Sequence, residues 1–363
     1  MKIVIDTREL RSTTGRYQER LLFYLQQLDH DNDYIVLIKP ADFDTWQPTN
    51  PRFNKVKCPY KEFTFSEQIG LLRQINNLKP DLVHFCMAQQ PLLFRRPVVT
   101  TIQDLTMIHF RNPTKNWLIF TIKQWVYRFL SFYVPHKSRQ IIVPSNYVKN
   151  VVAHYAHVNP EKITVTYEAA DKLTEPAEPL SQLADKQFIM YVGRPQPHKN
   201  LDRLVEAFAG LYEKYPNLQL ALVGKTDVLY ERLKTRVKAM DGKNIIFTGF
   251  VTDGQLRWLY DHCELYVFPS LSEGFGLPGL EAMVAGAPVV SSNATCLPEI
   301  YGDAADYFDP YNVADISRAL NDVLSNQQLR QKLIAAGSKR AAEFSWQKMA
   351  QQTLDIYRSV EKN

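Results

Sequence analysis

Two carboxylates and a glycine turn near residue 275 are the groups best placed to do chemistry. Glu273 and Glu281 stand eight positions apart, and Gly274 and Gly276 lie between them. A glycine turn that leads into a helix N-terminus presents backbone N–H groups, which suit an anion such as a phosphate. A carboxylate would repel that phosphate, so we assign both glutamates to neutral hydroxyls of a sugar or ribose. A helix cap and a surface glutamate remain the alternative from spacing alone.

The local sequence predicts the elements that hold this turn. Leu265–Phe268 is an apolar strand that ends just before it. Pro278 suits the first turn of a helix, where its missing N–H costs nothing. Gly286 is the residue expected to end that helix. The turn therefore joins a buried strand to a short helix.

A second strand-to-helix loop carries two cations. The strand Phe188–Gly193 is followed by Arg194 and Lys199, and a helix is expected after Asn200. Arginine and lysine at such a loop are natural phosphate ligands. Two solvated charges are the alternative.

The N-terminus repeats the same strand, loop and helix order. Lys2–Asp6 is a buried strand, and an amphipathic helix begins near Gly15. This order is the opening of a Rossmann-like domain. Gly15 would allow the backbone to approach a phosphate closely, and a plain turn is the alternative.

Residues 105–150 combine seven bases, abundant aromatic residues and no acidic residue. Basic and aromatic residues together suit an anionic membrane surface. They also suit single-stranded nucleic acid, which we rank lower. The third interpretation is that the aromatic residues form core and the bases a solvated face.

The bulk composition indicates a globular chain of two domains. The 363 residues are 45% hydrophobic, and residues 1–180 carry 23 Lys and Arg against 17 Asp and Glu. This positive excess predicts an anionic partner for the first half. Four scattered cysteines without metal or disulfide spacing, and no signal peptide or spanning segment, favour the cytoplasm. The aspartates at 29, 31 and 33 fit a polar turn better than a metal site.

The segment SEGFGLPGLEAMVAGAPVV, with Glu273 and Glu281 in an E-x7-E frame, resembles the signature of the retaining glycosyltransferases of family 4. The resemblance covers nearly the whole chain and implies the GT-B architecture. This fold class is α/β, with two Rossmann-like doubly wound domains that face each other across a cleft. It implies an acceptor-binding domain over 1–171, completed by a C-terminal helix over 345–363 that crosses back to it. Residues 172–344 would bind the nucleotide-sugar, and 172–186 has the composition of a linker.

The same resemblance implies roles for individual residues. Arg194 and Lys199 would contact the donor diphosphate, and Glu273 the transferred sugar. Glu281 would hold the ribose, and Val251 would lie where the base binds. Further donor contacts would come from Gly15 and from the backbone of Phe275, Gly276 and Leu277. Many members of the family have a histidine where this chain has Gln103, so that histidine's role does not carry over.

The predicted function is retaining transfer of a hexosyl group from a GDP- or UDP-linked sugar to a hydroxyl of a glycan or lipid-linked acceptor. The resemblance implies no metal and no cofactor. We expect a cytoplasmic enzyme, with attachment to the inner face of the membrane if the basic aromatic segment binds lipid. The rivals are a GT-B nucleotide-sugar epimerase, an inverting transferase, and a nucleic-acid-binding protein that uses the 105–150 face.

Overall fold

The computed structural model describes residues 1–12, 15–111 and 116–361. Thr14, which precedes Gly15, and Lys115, one of the seven bases, therefore lie outside the described residues. Contacts divide the chain into two compact units. The first contains Met1–His109, Trp117–Glu168 and Ser345–Asn363, and the second contains Phe110–Asn116 and Ala169–Phe344.

Within the described residues, the first unit is built on a parallel sheet of seven strands in the order β3-β2-β1-β4-β5-β6-β7. The order reverses between β1 and β4, which is where ligands bind in open α/β sheets. Most of its central strands are apolar and buried, as expected for a sheet with helices on both faces. The strands are β1 (Lys2–Asp6), β2 (Asp33–Ile38), β3 (Phe53–Lys57), β4 (Leu82–Phe85), β5 (Val98–Thr101), β6 (Gln140–Val143) and β7 (Ile163–Val165).

The helices of the first unit connect these strands. In α1, Leu21, Leu22 and Leu25 lie on one buried face, which follows their helical spacing. Ser145 begins α5 as a side-chain cap, because its hydroxyl accepts the N–H of Val148. The helices are α1 (Gly15–Leu28), α2 (Leu72–Leu78), α3 (Thr106–His109), α4 (Trp117–Lys137) and α5 (Asn146–Ala156).

Among the described residues, the second unit has a parallel sheet of six strands in the order β10-β9-β8-β11-β12-β13. Here the order reverses between β8 and β11. The strands are β8 (Phe188–Val192), β9 (Gln219–Val223), β10 (Ile245–Gly249), β11 (Tyr266–Phe268), β12 (Val289–Ser292) and β13 (Ala305–Phe308). The helices are α6 (Leu201–Ala209), α7 (Val228–Ala239), α8 (Asp253–His262), α9 (Leu277–Val284), α10 (Leu297–Tyr301), α11 (Val313–Ser325) and α12 (Gln327–Ala341).

The last helix, α13 (Trp346–Glu361), belongs to the first unit and packs against α1. The predicted return of the C-terminal helix is therefore confirmed. The two units divide between Glu168 and Ala169, whereas the sequence placed the boundary between 171 and 172. Two doubly wound parallel domains confirm the predicted α/β class. None of the helices in the described part of the chain is long and apolar enough to cross a membrane.

Candidate active site

Lys199 and Glu273 meet at the point where the second sheet reverses its strand order. Lys199 lies in the loop after β8 and Glu273 in the loop after β11, and these strands are neighbours. The Lys199 Nζ donates to Glu273 Oε1 over 2.6 Å. Their side chains are only 19% and 13% exposed, so the pair is largely shielded from water. Two residues that the sequence assigned to the donor site are therefore in direct contact.

Two residues hold the backbone of Glu273, and a third ties its loop to the loop after β8. Its backbone N–H donates to Thr295 Oγ1 over 3.2 Å, and the Cys296 thiol donates to its carbonyl oxygen. Asn200 is buried in the left-handed conformation and donates to the carbonyl oxygens of Pro269 and Pro310. The loops after β8 and β11 are thus joined by side-chain hydrogen bonds.

Arg194 lies beside the N-terminus of α7. Its Nε donates to Asp227 Oδ2 over 2.5 Å, and Asp227 also accepts the N–H groups of Leu229 and Tyr230. Asp227 therefore caps the helix and orients the guanidinium at once. Asp227 was not predicted from the sequence, although an aspartate directly before a helix is a recognisable cap signal.

His198 is a further residue of the loop after β8 whose role was not predicted from the sequence. It lies between the proline-rich part of the loop and Lys199. Burial, followed by the neighbouring charge of Lys199, lowers the pKa of His198 to about 4. The imidazole is therefore neutral at pH 7 and adds no positive charge to the site.

The glycine turn before α9 needs glycine for steric reasons. Gly276 has φ +100°, and a Cβ there would lie 2.6 Å from the Tyr301 hydroxyl. That hydroxyl donates to the Gly276 carbonyl oxygen over 2.6 Å. No side chain in the described part of the chain caps α9, and Pro278 occupies its first turn. The backbone N–H groups at this end of the helix are suited to an anion.

The other predicted donor contacts are spread over both units. Glu281 is half-buried on α9, about one turn after its start. Phe275 is buried and stacks edge-on against Phe344, so only its backbone is suited to a ligand contact. Val251 follows the edge strand β10, two strands away from β8.

Gly15 belongs to the first unit, and its backbone is tightly packed. A Cβ at this position would collide with the carbonyl oxygen of Leu10. The loop before α1 therefore requires glycine for its own packing. A phosphate contact at Gly15 stays a prediction.

The first unit contains a pocket of about 410 Å³ at the ends of its central strands. Gln103 lines it, together with polar residues that follow β1, β4 and β5. Phe63, Met87, Met107 and Tyr127 give it apolar walls. The charged residues that line it are Glu9, Lys61, Glu62, Asp104 and Lys123. Aromatic walls with several carboxylates suit a sugar better than a phosphate, since carboxylates accept hydroxyls and repel phosphates.

Two ionic networks hold the wall of this pocket. Lys39 lies 2.7 Å from Glu9 and 3.0 Å from Glu62, which neutralises part of the negative charge. Arg8 is buried and bridges Asp6 and Glu67 at 2.8 and 2.9 Å. Because Arg8 also donates to the Tyr60 and Gln89 carbonyl oxygens, it ties together the loops around the pocket.

A buried hydrogen-bond chain lies under the pocket. The Tyr17 hydroxyl and His84 Nε2 lie 2.9 and 2.8 Å from the Thr101 hydroxyl, and Thr101 lines the pocket. His84 Nδ1 lies 2.6 Å from the Tyr357 hydroxyl on α13. Burial lowers the pKa of His84 to about 3, so this ring is neutral. The C-terminal helix is thereby connected to the pocket floor.

Glu168 is a buried carboxyl beside Gln103. Only 5% of the surface of Glu168 is exposed to solvent. Burial raises the pKa of Glu168 to about 7, while hydrogen bonding by the Gln103 side chain and the charge of Arg16 oppose the shift. Glu168 was not predicted from the sequence, because a glutamate after a short strand is usually a surface residue.

The described residues contain no group of three or more His, Cys, Asp or Glu side chains that could hold a metal ion. The carboxylate of Asp29 instead accepts hydrogen bonds from Asn32 and from the Tyr34 hydroxyl. Asp33 pairs with Arg52 at 3.0 Å. This aspartate segment is therefore a turn stabilised by its own contacts.

Two family models match consecutive parts of the chain. Residues 14–172 match the model described as Glycosyltransferase Family 4, and residues 174–340 match Glycosyl transferases group 1. The serotype-specific mannosyltransferase WbdA of Escherichia coli is 38% identical over 180 residues, which are 47% of this chain. This match spans only 22% of that relative's length. The O-antigen chain mannosyltransferase B of Escherichia coli is 27% identical over 318 residues, covering 74% of this chain and 82% of that protein.

Solved structures show the same fold. A sucrose-phosphate synthase from Thermosynechococcus elongatus superposes with a TM-score of 0.77 at 18% identity, covering 100% of this chain and 99% of that chain. The Anabaena protein HepE, solved in complex with UDP-glucose, gives a TM-score of 0.75 at 18% identity, with 99% and 100% of the two chains covered. Since the two consecutive family models together span residues 14–340 almost without a gap, this chain belongs to the GT-B glycosyltransferases of the family-4 type.

Proposed function

We propose that this glycosyltransferase moves a hexosyl group from a nucleotide-sugar to a hydroxyl of a glycan acceptor, with retention at the anomeric carbon. The observation that carries the proposal is the Lys199–Glu273 pair at the strand-order reversal of the second sheet. In this pair a cation lies beside a carboxylate that we assign to the transferred sugar. Such an arrangement fits a ligand in which a diphosphate adjoins a neutral sugar.

The chemistry requires that negative charge on the leaving diphosphate be stabilised. We assign this task to Arg194, Lys199 and the N-terminus of α9. A hydrogen bond to a charged group contributes about 1.5–3 kcal/mol, and the helix end adds about 0.3–1 kcal/mol. Glu273 would accept sugar hydroxyls, and Glu281 the ribose hydroxyls. Val251 would contact the base.

The proposed acceptor site is the pocket of the first unit. Its carboxylates and aromatic wall suit the terminal sugar of a glycan. In the proposed mechanism the acceptor hydroxyl attacks from the face that the diphosphate leaves. The leaving phosphate accepts the proton, so no dedicated protein base is required.

The names of the curated relatives suggest mannose as the transferred sugar. WbdA and the O-antigen chain mannosyltransferase B are both named for mannosyl transfer. The chain spans about a fifth of WbdA, so its sugar and acceptor are proposals for this protein. A GDP- or UDP-linked hexose is the proposed donor class.

Thermal denaturation with a panel of GDP- and UDP-sugars tests the donor assignment. A ligand at 100 times its Kd stabilises a protein by about 2.7 kcal/mol, which raises Tm by several degrees. The stabilising donor is then incubated with an oligomannoside, and the anomeric configuration of the product is read by NMR. Formation of an epimer from donor alone, or of an inverted product, would contradict the proposal.

A further inference from the structure

The outer face of α4 is apolar over three turns, although it faces away from the core of its unit. Ile122, Trp125, Phe129 and Phe132 follow helical spacing and are 56%, 67%, 52% and 43% exposed. The opposite side of the helix carries Phe120, Tyr127, Leu130 and Val134, which are all buried. The core of the unit therefore accounts for one side of α4 only. A row of exposed large apolar residues marks an interaction surface.

Two loops extend this surface beside the pocket. Phe65 and Ile69 are 87% and 53% exposed, and Leu93 on the next loop is 74% exposed. The Gln68 side chain joins these loops, because it donates to the Gln90 carbonyl oxygen and accepts the Leu92 N–H.

Both loops also contact α4. Lys123 Nζ lies 5.7 Å from the Phe63 ring, and Lys137 Nζ donates to the Pro91 carbonyl oxygen. We call the set the α4 surface: Phe65, Ile69, Leu93, Ile122, Trp125, Val126, Phe129, Phe132 and Tyr133, all of them more than a third exposed.

The segments that form the α4 surface carry an excess of positive charge. Residues 105–150 contain no acidic residue, and Arg95, Arg96 and Arg139 are exposed. Two acids of the segment next to Phe65 are already paired, because Glu62 lies 3.0 Å from Lys39 and Glu67 lies 2.9 Å from Arg8. A second copy of the chain on this surface would bring like charges together. An anionic bilayer instead complements both the charge and the apolar residues.

We propose that the α4 surface inserts into the headgroup region of an anionic bilayer, with α4 lying in the plane of the membrane. Tryptophan, tyrosine and phenylalanine suit that depth, because their rings are apolar while tryptophan and tyrosine keep a polar edge. Lys123 and Arg128 interrupt the helix within its length, which fits a helix lying on the membrane better than one crossing it.

The position of the pocket extends this proposal to the acceptor. Lys123 and Tyr127 belong to α4 and line the pocket, and so do Lys61 and Phe63 of the adjoining loop. A glycan attached to a lipid in the same membrane would therefore have its sugar beside the pocket. We infer that the acceptor is lipid-linked. This step rests on the proposed transferase function, whereas the membrane contact itself does not.

Vesicle sedimentation of the full chain tests the membrane contact without any substrate. The lipids are phosphatidylcholine alone, and phosphatidylcholine with roughly three parts in ten of phosphatidylglycerol. We expect binding to the anionic vesicles to exceed that to neutral ones at least about tenfold, and to fall between about 50 and about 300 mM NaCl.

Two substitutions on different elements locate the contact. Trp125→Ser on α4 and Phe65→Ser on the loop should each weaken binding to the anionic vesicles by about fivefold or more. Phe23→Ser is the matched control, since Phe23 is 47% exposed on α1 of the same unit. Circular dichroism verifies that each variant is folded. All three replaced residues are exposed, so the fold should persist.

Several results would overturn the proposal. Equal binding to both lipids, no binding to either, or full binding by Trp125→Ser and Phe65→Ser would each do so. A dimer in sedimentation velocity that Trp125→Ser abolishes would assign the surface to a second copy instead. Vesicle binding without any sugar transfer would leave the membrane contact standing and refute the proposed function. Transfer to a soluble oligomannoside without vesicle binding would refute the membrane contact and leave the proposed function standing.

Discussion

Glu273→Gln is the substitution that best separates the proposed roles of the two glutamates. It keeps the size of the side chain and removes the charge that faces Lys199 over 2.6 Å. Thr295 and Cys296 hold the backbone of residue 273, so the loop should keep its position. The variant therefore tests charge rather than fold.

The geometry of the ion pair sets the expected size of the effect. Exposed pairs contribute about 0.2–1 kcal/mol, and breaking a buried pair costs about 3–5 kcal/mol. With side chains 19% and 13% exposed, we place this pair at about 1–2 kcal/mol, between those limits. A diphosphate that takes Lys199 must displace Glu273 from it. Since a glutamine oxygen still accepts one hydrogen bond, the variant should bind the free diphosphate about two- to fivefold more tightly.

Transfer should change in the opposite direction. If Glu273 holds the sugar as charge develops, its loss should lower kcat by about 100-fold, the scale of losing one transition-state contact. Glu281→Gln should instead weaken binding of the free diphosphate by about two- to tenfold, because one ribose hydrogen bond is lost.

Calorimetry with the nucleoside diphosphate and kinetics with the complete donor measure both effects. Glu231→Gln is the control, because Glu231 pairs with Lys234 on the exposed face of α7 in the same unit. If Glu273→Gln loses diphosphate affinity while Glu281→Gln keeps it, the proposed roles of the two glutamates are reversed. If both variants bind and turn over like the control, neither glutamate contacts the donor.

Three further predictions concern the two cations after β8, Gln103 and Glu168. Arg194→Ala and Lys199→Ala should each lower transfer by about 100-fold in steady-state kinetics, and wild-type rates would remove them from the site. Gln103→His should fold and keep activity, because the pocket of about 410 Å³ has room for an imidazole; inactivity in a folded variant would reveal a role for the amide. Burial raises the pKa of Glu168 to about 7, so its carboxyl is ionised in the unfolded chain but neutral in the folded one between about pH 4.5 and 7. Stability should therefore fall as pH rises through that range, and Glu168→Gln should gain up to about 3 kcal/mol over wild type by pH 8 in urea unfolding. A pH-independent difference would mean that Glu168 is ionised in the folded protein.

The strand, loop and helix order of both units was predictable, because proline and glycine mark its boundaries. As predicted, a strand follows residue 265. The next helix has Pro278 in its first turn and ends before Gly286. Strands β3 and β13 were not predicted. Both lie at the edge of a sheet, and their residues are partly exposed and polar, so they lack the apolar run that reveals a central strand.

The contacts between site residues could not be predicted from the sequence. Lys199 and Glu273 are 74 positions apart, and Arg194 and Asp227 are 33 apart. They meet because β8 lies between β9 and β11 in the sheet. No local sequence pattern predicts this strand order. The sequence predicts two cations after β8, but it does not predict which acidic side chains pair with them.

The 105–150 segment shows a second limit of prediction from sequence. Core residues and a membrane surface were competing interpretations of the same aromatic residues, and α4 divides those residues between its two sides. Phe120 and Tyr127 are buried, whereas Trp125 and Phe129 are exposed. A helix that is apolar on both sides has no amphipathic pattern, so periodicity alone could not assign its faces.

The pairing of the cations bears on how a donor would be selected. Arg194 and Lys199 each hold a carboxylate, so a diphosphate would exchange one anionic partner for another. Such an exchange yields less net affinity than the capture of two unpaired cations. It yields more discrimination, because a ligand with a single weak charge cannot displace Asp227 or Glu273. In the proposed mechanism the displaced Glu273 is then next to the sugar that it is meant to hold. Donor binding and sugar positioning would thus be one event, shared by two loops that Asn200 ties together.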